Sequence, residues 1–164
     1  MEAETDKPKW EGKATAKLHK HTAEKVWPLL GDFCSFDKWL PTIHTCSKVD
    51  GVDGLPGLVR YCAGTVPDGN GGGVAKWCHE KLIDIDSVEK CLSYEVLDNN
   101  MGFKSYKSTM KVMPIDGGDD LGGCKIEWSF LADPVEGLSF EDLAAYVDQS
   151  LQGMAKNMEK ELEK

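Results

Sequence analysis

Of nineteen basic residues in this 164-residue chain, only one is arginine, Arg60. Other absences are as informative. No apolar run approaches the roughly 18 residues of a membrane-crossing helix. No Cys-x-x-Cys pair occurs among the six cysteines, at 34, 46, 62, 78, 91 and 124, and their spacing fits no zinc pattern. The glycine-rich stretches lack the Gly-Lys-Ser/Thr ending of a phosphate loop and the strand-to-helix context of a dinucleotide fingerprint. No serine or cysteine stands in a nucleophile motif. His19-x-His21 and Cys78-His79-Glu80 are poor metal patterns, so neither metal nor cofactor is expected. There is no internal repeat and no interdomain linker.

Positive charge is also short. Net charge is -9, a field that repels phosphate backbones and anionic lipid. Nucleic-acid binding and stable membrane association are therefore not expected. Between Asp116 and Asp148 nine carboxylates face one lysine, Lys125. That segment reads as a solvated acidic surface or as a docking face for a basic partner; protein partners are otherwise unspecified. Met1–Lys13 has no hydrophobic stretch of secretory type, which predicts a cytoplasmic protein with reduced thiols, mostly small core residues.

What the chain does have is 41% apolar residues at a mean hydropathy of -0.38. A chain of this length can bury roughly 70% of its unfolded surface, enough to fold without cross-links. We read one domain over residues 1–164, with an ordered core of about 9–163. Residues 10–18 alternate, with Trp10, Gly12, Ala14, Ala16 and Leu18 on one face, and predict a half-buried strand. Thr22 is a candidate N-cap before Val26, Leu29 and Leu30, and Pro28 predicts a short helix. A second short helical segment spans Phe33–Trp39.

Strands are predicted at 42–50, 58–64, 74–86, 91–98, 106–113 and 124–131, separated by turn-rich stretches at 51–57, 67–73 and 116–123. Finally Phe140, Leu143, Val147, Leu151, Met154, Met158 and Leu162 form one apolar stripe on a helix of about six turns. Ser139 can cap it, with Asp142 three residues on. The class is α+β: an antiparallel sheet must cover its inner face, and the long helix is the natural cover.

Arg60 alternates with Leu58 and Cys62, but Val59 and Tyr61 would serve equally as the inward pair. In the 74–86 strand, Val74, Cys78, Glu80 and Leu82 share one phase, and Ala75, Trp77, Ile83 and Ile85 the other. Periodicity leaves both choices open. An inward arginine needs a partner. An inward glutamate would lie where burial raises its proton affinity and a nearby arginine opposes that shift.

An ordered set of residues resembles a known family. It comprises Trp10-Glu-Gly-Lys13, Val26-Trp27-x-Leu-Leu30, Asp32-Phe33, Pro41, Gly57-Leu-Val-Arg60-Tyr61-x-x-Gly64, Lys81-Leu82 and Glu127-Trp128-Ser129-Phe130. The set is similar to lachrymatory factor synthase and its plant relatives, within the polyketide cyclase/START-like superfamily that includes pollen-allergen proteins and abscisic acid receptors. The resemblance implies a single START-like domain with a helix-grip fold. In that fold a curved seven-stranded antiparallel sheet surrounds a long C-terminal helix, with two short helices after the first strand and an apolar cavity.

It further implies that Arg60 and Glu80 point inward as the working pair of a cofactor-free proton transfer converting a sulfenic acid to a sulfine. Arg60 would hold the oxygen, Glu80 would shuttle the proton and Tyr106 would add a hydrogen bond. Phe33, Trp39, Tyr94, Trp128, Leu143, Val147 and Leu151 would contact a small hydrophobic ligand, although ordinary core packing explains the aromatic positions equally well. The alternative function is a non-catalytic carrier or sensor of a hydrophobic plant metabolite or lipid.

Two departures bear on substrate identity: the polar loop Asp98–Phe103, and Leu151 where the synthase carries a bulkier aromatic. Gly54-Leu55-Pro56-Gly57 is similar to the receptor gate loop but precedes the Val-Arg strand instead of following it, and no His-Arg-Leu latch is present. Hormone reception is not expected.

Overall fold

The structure, a computed structural model, describes residues 9–67, 70–115 and 123–164. The expected Pro67–Gly73 and Asp116–Gly123 loops lie partly outside these residues. Strand β1 (Trp10–Leu18) leads into helix α1 (Ala23–Leu30) and a 3-10 segment (Phe33–Lys38). Six strands follow: β2 (Ile43–Asp50), β3 (Val59–Pro67), β4 (Gly73–Asp86), β5 (Cys91–Asn99), β6 (Tyr106–Pro114) and β7 (Cys124–Ala132). The long helix α2 (Phe140–Leu162) closes the chain. All seven strands form one sheet in the order β1-β7-β6-β5-β4-β3-β2, and every pairing is antiparallel.

Alternation in the sequence becomes alternation in burial. Cys124, Ile126, Trp128, Phe130 and Ala132 of β7 are buried, and Lys125, Glu127 and Ser129 lie between them on the outer face. Tyr106, Ser108, Met110 and Val112 of β6 repeat the pattern. Register shifts interrupt β2–β3 twice and β4–β5 twice. Such bulges bend and twist a sheet, and here they fall in its β2–β5 half. The tightest approach is at Gly64, where a Cβ would come within 1.8 Å of the Thr42 carbonyl oxygen. No larger residue fits β3 there without moving the backbone.

Helix α2 begins with the capping box its sequence predicts. Ser139 Oγ accepts from the Asp142 amide at 3.0 Å, and the Asp142 carboxylate accepts from the Ser139 amide at 3.2 Å. Thr22 caps α1 through extended backbone geometry, without a side-chain hydrogen bond. The α2 stripe is buried at Leu143, Val147, Leu151, Met154 and Met158. Each such side chain contributes about 1.5–3 kcal/mol when fully buried. Two polar side chains fix the helix's position: Gln152 donates to the Thr15 carbonyl and Asn157 to the Trp39 carbonyl, each at 2.9 Å.

Candidate functional site

The undecided phases of β3 and β4 are settled by their packing. Leu58, Arg60 and Cys62 are buried on one face of the β3 segment, leaving Val59 and Tyr61 on the other. In β4 the buried phase is Cys78, Glu80 and Leu82. Arg60 stands directly opposite Glu80 in the β3–β4 register. A register shift between Cys78 and Glu80 marks the same place on the β5 side.

Arg60 is 2% exposed and Glu80 9%. A single carboxylate oxygen, Glu80 Oε1, accepts from both Nε at 2.8 Å and Nη2 at 2.6 Å. Nη1 donates to the Phe33 carbonyl. The guanidinium plane is also covered by rings, with its carbon 3.7 Å from the Phe33 centroid, 4.1 Å from Phe36 and 5.0 Å from Tyr94. Burial works against the charge on Arg60, but the adjacent Glu80 carboxylate outweighs it and holds the guanidinium more firmly protonated than usual. The pair of opposite charges therefore has no net charge as a unit, and the Cys78 thiol adjoins the Glu80 carboxylate through a side-chain hydrogen bond.

A second polar cluster is neutral throughout. Trp128 Nε1, which can only donate, bonds to Ser108 Oγ at 2.7 Å. The Ser129 carbonyl, which can only accept, lies 2.8 Å from that oxygen and takes the serine proton. The Tyr106 hydroxyl lies 3.2 Å away. Ser108 Oγ also donates to the Tyr106 hydroxyl, so the one serine proton is shared between the Ser129 carbonyl and the phenol oxygen. Burial pushes the phenols of Tyr94 and Tyr106 above the ordinary tyrosine range, so both stay protonated.

Both clusters face a cavity of about 500 Å³. It lies towards the N-terminal end of α2, bounded there by Asp142, Leu143 and Tyr146. Exposed Thr42, Glu136, Gly137, Asp142 and Tyr146 set its mouth. The polar loop after β5 contributes an apolar wall, with Met101 and Phe103 turned inward. Asn99 makes this possible. Its Oδ1 accepts from the Met101 amide at 2.9 Å and the Phe103 amide at 3.1 Å, and its Nδ2 donates to the Phe103 carbonyl at 3.0 Å. Asn100 ties the loop to β4 through Trp77 and Ala75. The polar residues satisfy the loop backbone, while the two apolar ones face the cavity.

Arg60, Glu80, Tyr94, Tyr106, Trp128 and Leu143 from the expected set lie on the cavity wall. Phe33, Trp39, Val147 and Leu151 do not line it. Phe33 is one layer back, supporting Arg60 through its ring and carbonyl. Trp39 is buried where its carbonyl meets Asn157 of α2. Val147 and Leu151 sit deeper along the helix, in core that the sheet fills. The sequence reasoning missed Phe36, Cys62, Cys78, Val96, Met101 and Phe103 on the wall. Cys62 and Cys78 carried a usable signal, since each alternates with a member of the ion pair. Among the described residues no group of three or more His, Cys, Asp or Glu side chains could hold a metal ion.

A curved antiparallel sheet wrapped on one long helix over a cavity defines the helix-grip class. Within it, the chain belongs to the family described as "Polyketide cyclase / dehydrase and lipid transport", whose sequence pattern matches residues 13–163. It is similar to MLP-like protein 423 of Arabidopsis thaliana, with 33% identity over 103 residues; the match spans 60% of this chain and 64% of the relative. Among solved structures, protein XoxI from Bacillus cereus aligns with TM-score 0.71 at 25% identity, covering 92% of this chain and 93% of that one. Ginseng major latex-like protein 151 from Panax ginseng shares the fold with TM-score 0.69 at 22% identity, covering 93% and 97%.

Proposed function

We propose that this protein binds a small, mostly apolar and uncharged molecule in the cavity, with a hydrogen-bond-donating group placed against Glu80. The buried Arg60–Glu80 pair at the wall of a mostly apolar cavity carries this reading. A cavity of about 500 Å³ falls in the ordinary range for small-molecule sites. The pair has no net charge with which to attract an anion, and Glu136 and Asp142 at the mouth outnumber Lys76 on the wall. Glu80 Oε2 instead offers an acceptor to a hydroxyl or enol. The family's description, which includes lipid transport, supports an apolar cargo.

The test is a titration with the neutral probe N-phenyl-1-naphthylamine, alongside Leu143→Trp, which fills the cavity from the helix side. Saturable binding by the native chain, lost in the folded variant, is expected. Absence of binding, or equal binding by both, overturns the reading.

A catalytic role is the second reading, favoured by the way Arg60 grips Glu80 at the wall of the cavity. On a 1-propenylsulfenic acid, Glu80 would accept the O–H proton and return it to the alkene carbon remote from sulfur, where the C=C pair forms the new C–H bond as a lone pair of the sulfenate sulfur closes C=S. No atom is gained or lost. Arg60 then acts chiefly by holding Glu80 in place, since its strongest donors are already committed. Coupled to an alliinase, the native chain should yield sulfine measured by gas chromatography–mass spectrometry, and folded Glu80→Gln should not. No sulfine from the native chain leaves the binding reading standing without catalysis.

A further inference from the structure

A row of three cysteines crosses the sheet beside the ion pair. Cys46 of β2 is opposite Cys62 of β3, which is opposite Cys78 of β4. Cys46 and Cys62 are in contact, with the Cys62 thiol donating to the Cys46 sulfur at 3.6 Å. Residues directly opposed on antiparallel strands have Cα separations of roughly 4.5–5.5 Å, inside the range that disulfide geometry accepts. Rotation of the two side chains is enough to bring the sulfurs to bonding distance, without strand movement. β2 is the edge strand, and Cys46 on it is half-buried, while Cys62 lies on the cavity wall.

We infer that Cys46 and Cys62 form a peroxide-responsive dithiol that closes to a disulfide, fastening edge strand β2 to β3 beside Arg60. This inference goes beyond the ligand-binding reading and does not depend on it. Cys46 is the attacking sulfur. The hydrogen bond from Cys62 stabilises its thiolate and Arg60 adds to this; burial and Asp37 oppose, and the net effect brings its pKa down to about 7. Donating that hydrogen bond, with burial, keeps Cys62 a thiol.

Neither neighbour competes well. Burial pushes the Cys34 thiol up to about 11. Burial and the Glu80 carboxylate raise Cys78.

The chemistry balances with a hydroperoxide as oxidant. The Cys46 thiolate attacks the O–O bond, becoming a sulfenic acid and releasing hydroxide, which is protonated to water. The Cys62 sulfur then attacks the Cys46 sulfur, and the displaced hydroxide leaves as water with the Cys62 proton. Overall two thiols and one hydrogen peroxide give one disulfide and two waters; the sulfurs lose two electrons and the peroxide gains them. The Cys46 thiol also donates, at 3.9 Å, to the Phe33 carbonyl that accepts from Arg60. Oxidation therefore acts on the scaffold of the ion pair as well as on the edge strand.

The test treats the reduced, folded full chain with a slight excess of hydrogen peroxide and maps peptides without reduction. The expected result is loss of the mass of two hydrogens, a peptide joining Cys46 to Cys62, and full reversal by dithiothreitol. In Cys62→Ser the sulfenic acid on Cys46 should persist and be trapped by dimedone; in Cys46→Ser the cross-link should be lost and Cys62 left unmodified. A link through Cys34 or Cys78 overturns the inference, as does direct conversion of Cys46 to sulfinic acid in the native chain. So does an unreacted Cys46 under conditions that oxidise an exposed reference thiol.

Discussion

The cavity has two polar regions built on opposite principles. On the β3–β4 side, a fully charged pair is held by its cross-strand register, by the Phe33 carbonyl and by aromatic rings on the guanidinium. On the β6–β7 side, Ser108 joins Trp128, Ser129 and Tyr106 with no formal charge. The charged region needs residues from β3, β4 and the 3-10 segment, so it exists only once three elements have assembled. The neutral region needs one adjacent strand pair. Buried charge demands many simultaneous partners, whereas a neutral hydroxyl is satisfied by its neighbours.

The comparison breaks most visibly at the ion pair. Arg60→Leu and Glu80→Leu should each cost about 3–5 kcal/mol in denaturant unfolding, because each leaves one buried charge without its partner. Arg60→Leu/Glu80→Leu should recover most of that stability, since an apolar replacement of a whole buried pair is often neutral or better. A double variant as unstable as the sum of the singles would mean that the pair itself, and not its orphaned member, supplies the stability.

The neutral region should respond less. Ser108→Ala removes the acceptor of the buried Trp128 N–H and should cost about 1–3 kcal/mol. Tyr106→Phe deletes one hydrogen bond and keeps the ring stacked on Phe130, so about 0.5–1.5 kcal/mol is expected. If Tyr106→Phe costs more than Ser108→Ala, the Trp128–Ser108 bond is not what holds this region.

The smallest effect sharpens how far the charged region reaches. Alkylation of Cys46 should rise as pH passes through about 7, because the thiolate is the reactive form. Cys34, pushed up to about 11 by burial, should lag behind it. In Arg60→Leu the Cys46 midpoint should move upward, as one of the charges favouring its thiolate is lost. An unchanged midpoint would confine the arginine's influence to Glu80.

Much of the architecture was legible in the order of residues. The alternation of β1, β6 and β7 predicted their buried faces, because each has apolar residues on one phase and polar residues on the other. The α2 stripe and its Ser139–Asp142 box predicted the helix with its start. Arg60 and Glu80 were different. Each sits in a strand whose two phases both hold apolar side chains, so alternation could not say which way they face. Resemblance to a family pointed them inward; burial and mutual contact place them there in the structure.

The extent of the cavity was equally hidden. An apolar stripe on α2 looks the same whether sheet or empty space lies opposite, yet Leu143 borders the cavity and Val147 and Leu151 are packed against core. The inward turn of Met101 and Phe103 from a polar loop depends on Asn99, which satisfies the loop backbone. The sequence alone determined which segments become strands and helices, because periodicity and capping are local properties of the chain. Tertiary structure decided which side chains meet. The contact of Cys46 with Cys62, the Arg60–Glu80 bond and the space above them depend on register and curvature, which arise only when distant strands pair.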